Sequence, residues 1–223
     1  MSILQFENRD TFEKKQQDYY NKCYQNYTLQ NIESFIYQDF YNDIGTNIKL
    51  HGSNVKQIIL PHTLLEIPDY FCKDCKKLRK IDLSNIINIG EHAFDSCFVL
   101  DEIGNLSKVN NIGYQAFSYC ICLNEIDIPS CESIGGYSFS QCRGLSSISM
   151  LKVRNIGDYA FLNCVMLREI YLSDVTTIGN NVFQNCAKDK LKVYLYDVSN
   201  EILDYFIAEG FSYIYINDEL YSG

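Results

Sequence analysis

The chain has 223 residues, 47% hydrophobic and 21% charged, the balance of a folded globular protein. Its 28 Asp and Glu outweigh 19 Lys and Arg, and the pI is about 4.8, which speaks against a nucleic-acid binder with its basic stripe. No run approaches the ~20 consecutive apolar residues that a membrane span needs.

Met1-Ser2-Ile3-Leu4-Gln5-Phe6-Glu7 lacks the basic and apolar regions of a secretory signal. Leu220-Tyr221-Ser222-Gly223 carries no prenylation motif. The expectation is therefore a cytoplasmic chain, with exposure at the surface or secretion by another route as the alternative. Residues 8–43 read as helical. Phe12, Tyr19, Tyr20, Cys23, Tyr24 and Tyr27 recur at three and four, and Ile32, Phe35, Ile36 and Phe40 repeat the pattern after a break near Thr28-Leu29. Two helices packed on the first repeat would make a helical N-terminal cap of residues 1–54. A separate partner-binding module is the alternative.

From Val55 to Leu195 the chain repeats itself, and self-similarity at a fixed period is the mark of a stacked architecture. Ile89-Gly90, Ile112-Gly113, Ile134-Gly135, Ile156-Gly157 and Ile178-Gly179 recur at 23, 22, 22 and 22 residues. Five residues after each isoleucine stands Phe94, Phe117, Phe139, Phe161 or Phe183, and three further on Cys97, Cys120, Cys142, Cys164 or Cys186. Leu100, Leu123, Leu145 and Leu167 follow, then Ile103, Ile126, Ile148 and Ile170. An earlier unit fits with substitutions: Ile67-Pro68 for Ile-Gly, Phe71-Cys72 for Ala-Phe, then Cys75, Leu78 and Ile81 on schedule. Six Cys-bearing units result.

Leu-x-x-Ile-x-Leu, as in Leu78, Ile81 and Leu83, ends in period-two alternation, the pattern of a short strand with one buried face. Ile86, Val109, Cys131, Val153 and Val175 fill another inward slot. The glycine after each isoleucine suits a tight turn or a positive φ. Ala93, Ala116, Ser138, Ala160 and Val182 suggest a helical turn close to the sheet. No unit can bury its apolar face alone, so the units must stack. Ile103-Gly104-Asn105-Leu106 contains one extra residue, which predicts a bulge with Leu106 restored to the interior. Beyond Leu195, Ser199 is a candidate N-cap for a helix over Asn200–Glu209, and Gly210 suits its C′ position. Tyr213-Ile214-Tyr215-Ile216 alternates as a strand, giving a strand-helix-strand cap over 196–223, with 218–223 expected to fray.

Leu123-Asn124-Glu125-Ile126-Asp127-Ile128-Pro129 and Ile89-Gly90-Glu91-His92-Ala93-Phe94-Asp95-Ser96-Cys97 resemble the signature of the BspA-type leucine-rich repeat. The resemblance covers about 140 of the 223 residues. It implies an α/β repeat, a curved right-handed solenoid with a parallel sheet, and a role in protein binding, adhesion or host-cell contact. It brings no catalytic residues.

Cys72-x-x-Cys75 has the spacing of half a zinc or redox site, but the nearest other pair is Cys120-x-Cys122, and Cys75 and Cys120 already belong to the repeat. The cysteine ladder reads as buried packing, with free thiols. His51, His62 and His92 join no carboxylate and nucleophile at a recurrent spacing, and His92 reads as exposed. Lys73, Lys76, Lys77, Arg79 and Lys80, interleaved with Asp74 and Asp82, read as a solvated face. No phosphate loop or His-Glu-x-x-His occurs. No metal or cofactor is expected.

The outward strand positions are the most informative surface. They run Lys80 and Asp82, Glu102 and Gly104, Glu125 and Asp127, Ser147 and Ser149, Glu169 and Tyr171, then Lys192, Tyr194 and Tyr196. This stripe is acidic and becomes aromatic toward the C-terminus. Asp82, Glu102, Glu125, Asp127, Glu169, Tyr171 and Tyr194 are the candidate binding residues for a basic or extended protein partner. The reading is a monomeric, non-catalytic interaction module or scaffold. The alternative is a cell-surface adhesin or host-interaction protein.

Overall fold

The computed structural model describes residues 50–60 and 62–222, and in addition the backbone of two strands, Ile3–Leu4 and Ser34–Ile36. Each repeat is one coil with two strands and a segment of turns. The first strand of the coils is, in chain order, Gln57–Ile59, Lys80–Ile81, Glu125–Asp127, Ser147–Met150, Glu169–Leu172 and Lys192–Leu195, with a single bridge at Glu102 in the coil between the second and third. Neighbours one coil apart pair in parallel on each side of the Glu102 coil: Ile58 lies beside Ile81, Ile148 between Ile126 and Ile170, and Ile170 beside Val193. Their inward side chains are buried while Glu125, Asp127 and their counterparts face out. This is the half-buried alternation that the repeat predicts.

The isoleucine-glycine positions build a second parallel sheet that sequence reading assigns to turns. Its strands are two residues each: Glu66–Ile67, Asn88–Ile89, Asn111–Ile112, Ser133–Ile134, Asn155–Ile156 and Thr177–Ile178. The glycines that follow are not there for a positive φ, which among the described glycines occurs only at Gly52, Gly104 and Gly210. They are there because the neighbouring backbone leaves no room for a side chain. A Cβ at Gly135 would lie 2.6 Å from the Gly113 carbonyl carbon, and one at Gly157 would overlap the Gly136 nitrogen.

The segments carrying Phe and Cys are turns, not the helices implied by an α/β repeat. Alternate residues divide their hydrogen bonds between the coil and the stack. Ser138, Ser140 and Cys142 donate back three residues, to Gly135, Tyr137 and Phe139. Tyr137, Phe139 and Gln141 donate to Asp158, Ala160 and Leu162 of the next coil, at 2.9, 2.8 and 2.7 Å. Tyr137 and Gln141 adopt φ of 55° and 62° to do so, and each neighbouring coil has an equivalent pair. Such φ values are unfavourable for residues other than glycine; the ladder of inter-coil bonds holds them. The molecule is thus a β-solenoid of stacked coils, and the one helix among the described residues lies after the array.

The core is built of two ladders. Phe94, Phe117, Phe139, Phe161 and Phe183 stack with ring centroids 5.2–5.5 Å apart, all fully buried. Offset stacking of this kind adds to the burial of the rings. Beside them each ladder thiol donates to a carbonyl of the preceding coil: Cys120 to Phe94, Cys142 to Phe117, Cys164 to Phe139 and Cys186 to Phe161, at 3.1–3.2 Å. Cys97 donates to Cys72, which fills the Phe slot of its coil. These cysteines pack as buried apolar residues and also satisfy carbonyls that already accept one N–H within their own coil. The nine described cysteines are free thiols; Cys23 lies outside the described residues.

The ends differ from expectation. Ser34–Ile36, within the expected helical stretch 8–43, is a strand paired with Gln57–Ile59, and Ile3–Leu4 pairs with it in turn. Its 23-residue offset from Gln57 is the repeat period, and Leu50 and Ser53 take the Phe and Cys slots: Cys75 donates to the Leu50 carbonyl, and the Ser53 hydroxyl lies 3.4 Å from Cys75 Sγ. The apolar spacing there is a coil's, not a helix's. The rest of the expected helices lies outside the described residues. At the C-terminus a helix spans Asn200–Ala208, with Ser199 Oγ accepting from the Ile202 N–H and Gly210 at φ +80°. Its Phe206, with Phe211, closes the phenylalanine stack over Phe183. Tyr213–Ile216 then adds a parallel strand to Lys192–Leu195. Glu219–Leu220, expected to fray, folds back antiparallel on that strand.

Gly135→Ala should destabilise the fold by ~1–3 kcal/mol, as overpacking does. Gly136→Ala should be milder, because its Cβ would meet only Asp158 O at 3.1 Å and a movable Tyr114 ring. Denaturant midpoints of the two variants compare them; equal midpoints would remove the steric account of the glycine ladder.

Burial raises the thiol pKa values of Cys97, Cys120, Cys142 and Cys164, and raises that of Cys186 to about 12. An unfolded thiol titrates near ~8.5. The unfolded chain therefore loses protons that the folded chain retains. The stabilisation is fully present below that pH and is lost above it, through the folded pKa, at up to ~1.4 kcal/mol per thiol per pH unit. The denaturant midpoint should stay level to about pH 8 and drop steeply between about pH 9 and pH 10.5. The drop should be shallower in Cys142→Ala and Cys164→Ala than in the parent.

Candidate binding face

The outward row of the first sheet carries the candidate residues, and the extra residue near Gly104 shapes it. Gly104 has φ +72°, and a Cβ there would overlap Asp82 Oδ1. Leu106 returns to the interior, as the spacing predicts. The cost is one broken rung: strand pairing in this coil shrinks to the bridge between Lys80 and Glu102, and among the described residues no strand pairing joins Glu102 to Glu125. A groove of about 370 Å³ opens there, between Gly104-Asn105 on one side and Tyr171 on the other. A second groove, of about 550 Å³, shares Asp127, Ser149 and Tyr171 with it and runs on to Leu151, Ser173 and Tyr196.

The structure divides the acidic candidates into neutralised and unopposed. Glu102 is bridged by Lys80 at 3.0 Å and faces Arg79 at 3.6 Å. Glu169 takes Lys192 at 3.3 Å and the Tyr171 hydroxyl at 2.9 Å. Asp82 is spent locally: its Oδ1 accepts from the hydroxyl and the N–H of Ser84, which holds its pKa below the usual carboxylate range. Glu125 and Asp127 form no hydrogen bond or ion pair with a described residue, and both are exposed at the groove. The stripe is therefore less acidic than its composition implies, and the carboxylates with neither an ion pair nor a hydrogen bond among the described residues sit on one strand.

Tyr171 stacks on Tyr194 with centroids 4.6 Å apart and planes 7° apart, and Tyr194 on Tyr215 at 4.8 Å. Partial burial, with the bond to Glu169, pushes the Tyr171 phenol up to about 12, so it remains a neutral donor at physiological pH. Tyr196 donates to Asp218. The sequence reading names Tyr171 and Tyr194 as candidates and leaves out Ser147, which lines the first groove, and Ser149, which lines both. Small side chains there create the hollow, and their lack of bulk between Asp127 and Tyr171 was the available signal.

Elsewhere two readings change. His92, expected to be exposed, has a side chain only 14% accessible and stacks on Tyr70 at 4.8 Å. Lys73, expected on a solvated face, pairs with the buried Asp95, whose Oδ2 also lies 3.0 Å from His92 Nδ1. Tyr114, Tyr137 and Tyr159 continue this ring row on successive coils. Among the described residues no three His, Cys, Asp or Glu side chains are placed to hold a metal ion, and no helix is long and apolar enough to cross a membrane.

A family model and a solved structure agree with this architecture. The family model described as "BspA type Leucine rich repeat region" matches six copies, over residues 8–100 and 66–190. The match begins within the segment expected to be a helical cap. A leucine rich cell surface protein from Faecalibacterium prausnitzii A2-165 superposes with a TM-score of 0.60 at 26% identity, over 75% of this chain. The present chain spans only 43% of that protein. A leucine rich repeat protein of T. pallidum aligns over 84% of this chain and 92% of its own, at 20% identity and a TM-score of 0.49. No curated protein matches the sequence significantly. With the family model covering most of the sequence and the coils of the repeat seen in the fold, the chain belongs to the BspA-type leucine-rich-repeat family.

Proposed function

We propose that this chain is a non-catalytic protein-interaction module that binds an extended, basic segment of a partner protein along its strand face. The observation that carries the reading is the pairing of Glu125 and Asp127, both without an ion partner among the described residues, with grooves that end on tyrosine. Carboxylates left unopposed at a groove attract and orient basic partners, and tyrosine supplies contact area at little conformational cost. The interaction centres on Glu125, Asp127, Tyr171 and Tyr194. Glu169 and Glu102, whose charges are already compensated by lysine, and Asp82, whose carboxylate is held by Ser84, belong to the same face but contribute less. The array binds as a monomer.

Kinship with the Faecalibacterium cell surface protein supports a setting at the cell surface, and favours it over the cytoplasmic expectation. In that setting the face is an adhesin's or a host-interaction surface. Protease applied to intact cells should then degrade the protein; full protection until the cells are lysed would return it to the cytoplasm.

Charge reversal tests the face. Asp127→Lys should abolish capture of partner proteins from the native organism, and Glu169→Lys should weaken it less, because Lys192 already offsets that carboxylate. Both effects should be larger at low salt, where screening is weakest. Capture of the same proteins by Asp127→Lys as by the parent would discard the strand face as the binding surface.

A further inference from the structure

One row of outward side chains runs Asp127, Ser149, Tyr171, Tyr194, Tyr215, each aligned with the next across parallel strands. Three of these five positions form a stacked tyrosine ladder with centroids 4.6 and 4.8 Å apart. The ladder stops at Tyr171 because the next rung is serine. Tyr194 covers one face of the Tyr171 ring, and among the described residues no other ring touches it. Its second face therefore looks over Ser149 toward Asp127. Parallel strands repeat at ~4.8 Å, so Asp127 stands about 9.6 Å from the Tyr171 position along the row. One rung of that height is open, with an aromatic face on one side, an unopposed carboxylate on the other and a hydroxyl at its floor. Both grooves converge on these three residues.

We propose that the open rung over Ser149 seats a guanidinium group, and that the partner of the strand face presents an arginine there. The proposal rests on the strand-face reading and names the side chain that it selects. A guanidinium is planar and as thin as the missing ring, so it continues the stack on Tyr171. Its delocalised charge, held between the Tyr171 ring on one side and the Asp127 carboxylate on the other, is attracted by both. A donor remaining at its edge meets the Ser149 hydroxyl. Glu125, on the same strand as Asp127, adds negative potential at the entrance. A phenyl group would stack equally well but leave Asp127 unpaired. A lysine ammonium would meet the carboxylate but gives up less of its hydration and has no plane to stack. An acidic side chain is repelled.

The probe is an acetylated, amidated peptide of serine and glycine with one central arginine, compared with lysine and norleucine versions. Binding is followed by chemical-shift changes of the tyrosine ring protons at low salt. The arginine peptide should bind several-fold more tightly than the lysine peptide, and the norleucine peptide should not bind. Ser149→Tyr, which completes the ladder, should weaken arginine binding at least about tenfold while keeping or raising the melting temperature. Ser149→Ala, which keeps the rung open, should retain most of the affinity, and Asp127→Asn should lose about tenfold. Equal binding of arginine and norleucine peptides, or undiminished arginine binding by Ser149→Tyr, overturns the proposal. Capture of native partners that Asp127→Lys loses and Ser149→Tyr keeps would leave the strand face standing and overturn the arginine seat alone.

Discussion

Coils stacked at the spacing of a parallel sheet bring backbone against backbone along the whole array, and most residue choices in the repeat answer to that spacing. The glycine after each isoleucine is the sharpest case. Its Cα sits against the peptide of the coil before it, so that even one methyl group would overlap main-chain atoms. The positive φ values of the turns have the same origin. They cost energy locally, but they aim alternate N–H groups along the stack, where every coil supplies a carbonyl. Three hydrogen bonds per coil on the turn side, with the bonds of two sheets, leave little backbone unpaired in the interior.

The cysteine ladder follows from the same demand. A turn segment that gives half its donors to the next coil leaves carbonyls pointing inward that could take a second bond. Water does not reach them, since ladder residues such as Cys120, Cys142 and Cys164 are wholly buried. A thiol is small and apolar enough to pack beside the phenylalanine stack, and it still donates weakly. Alanine would fit but donate nothing, and serine would fill less of the space. Ser53, in the same slot of an earlier coil, makes its contact to the Cys75 sulfur instead. The arrangement accounts for the spacing of the six ladder cysteines by packing and hydrogen bonding.

Period and burial were legible because they are properties of single positions. Every isoleucine, phenylalanine and cysteine named from the repeat is in the core but for the terminal Ile178 and Cys186, which are partly buried. What a single sequence did not show was where each hydrogen bond goes. A turn with bonds three residues back and a helical turn share their apolar spacing, so Ala93-Phe94 suggested helix while the structure has turns. The Ile-Gly strands are two residues long, too short to alternate visibly, and their pairing partners lie 22 or 23 residues away. Ser34–Ile36 failed for a related reason. Its apolar residues Phe35 and Ile36 fit both a helix period and the edge of a coil, and only pairing with Gln57–Ile59 decides between them. At the site, composition made the stripe acidic, but Lys80 and Lys192 act across coils, which spacing within one unit does not reveal.

The candidate site lies where the repeat departs from its own rule. A uniform array offers every coil the same outward slots, and nothing in it selects one place along its length. Here the extra residue at Gly104 interrupts one sheet and opens a groove. Two coils later the outward slots shrink to Ser147 and Ser149, and beyond them they fill with stacked tyrosine. None of these changes touches the ladders of the core: Ile126, Ile148 and Ile170 keep their register and burial throughout. Inward and outward positions alternate on every strand, so the stack tolerates any outward residue that is not too large for its neighbours. Stability thus rests on the inward face of these short strands, and the proposed recognition on the outward one, so that outward residues can vary without disturbing the stacking that supports them.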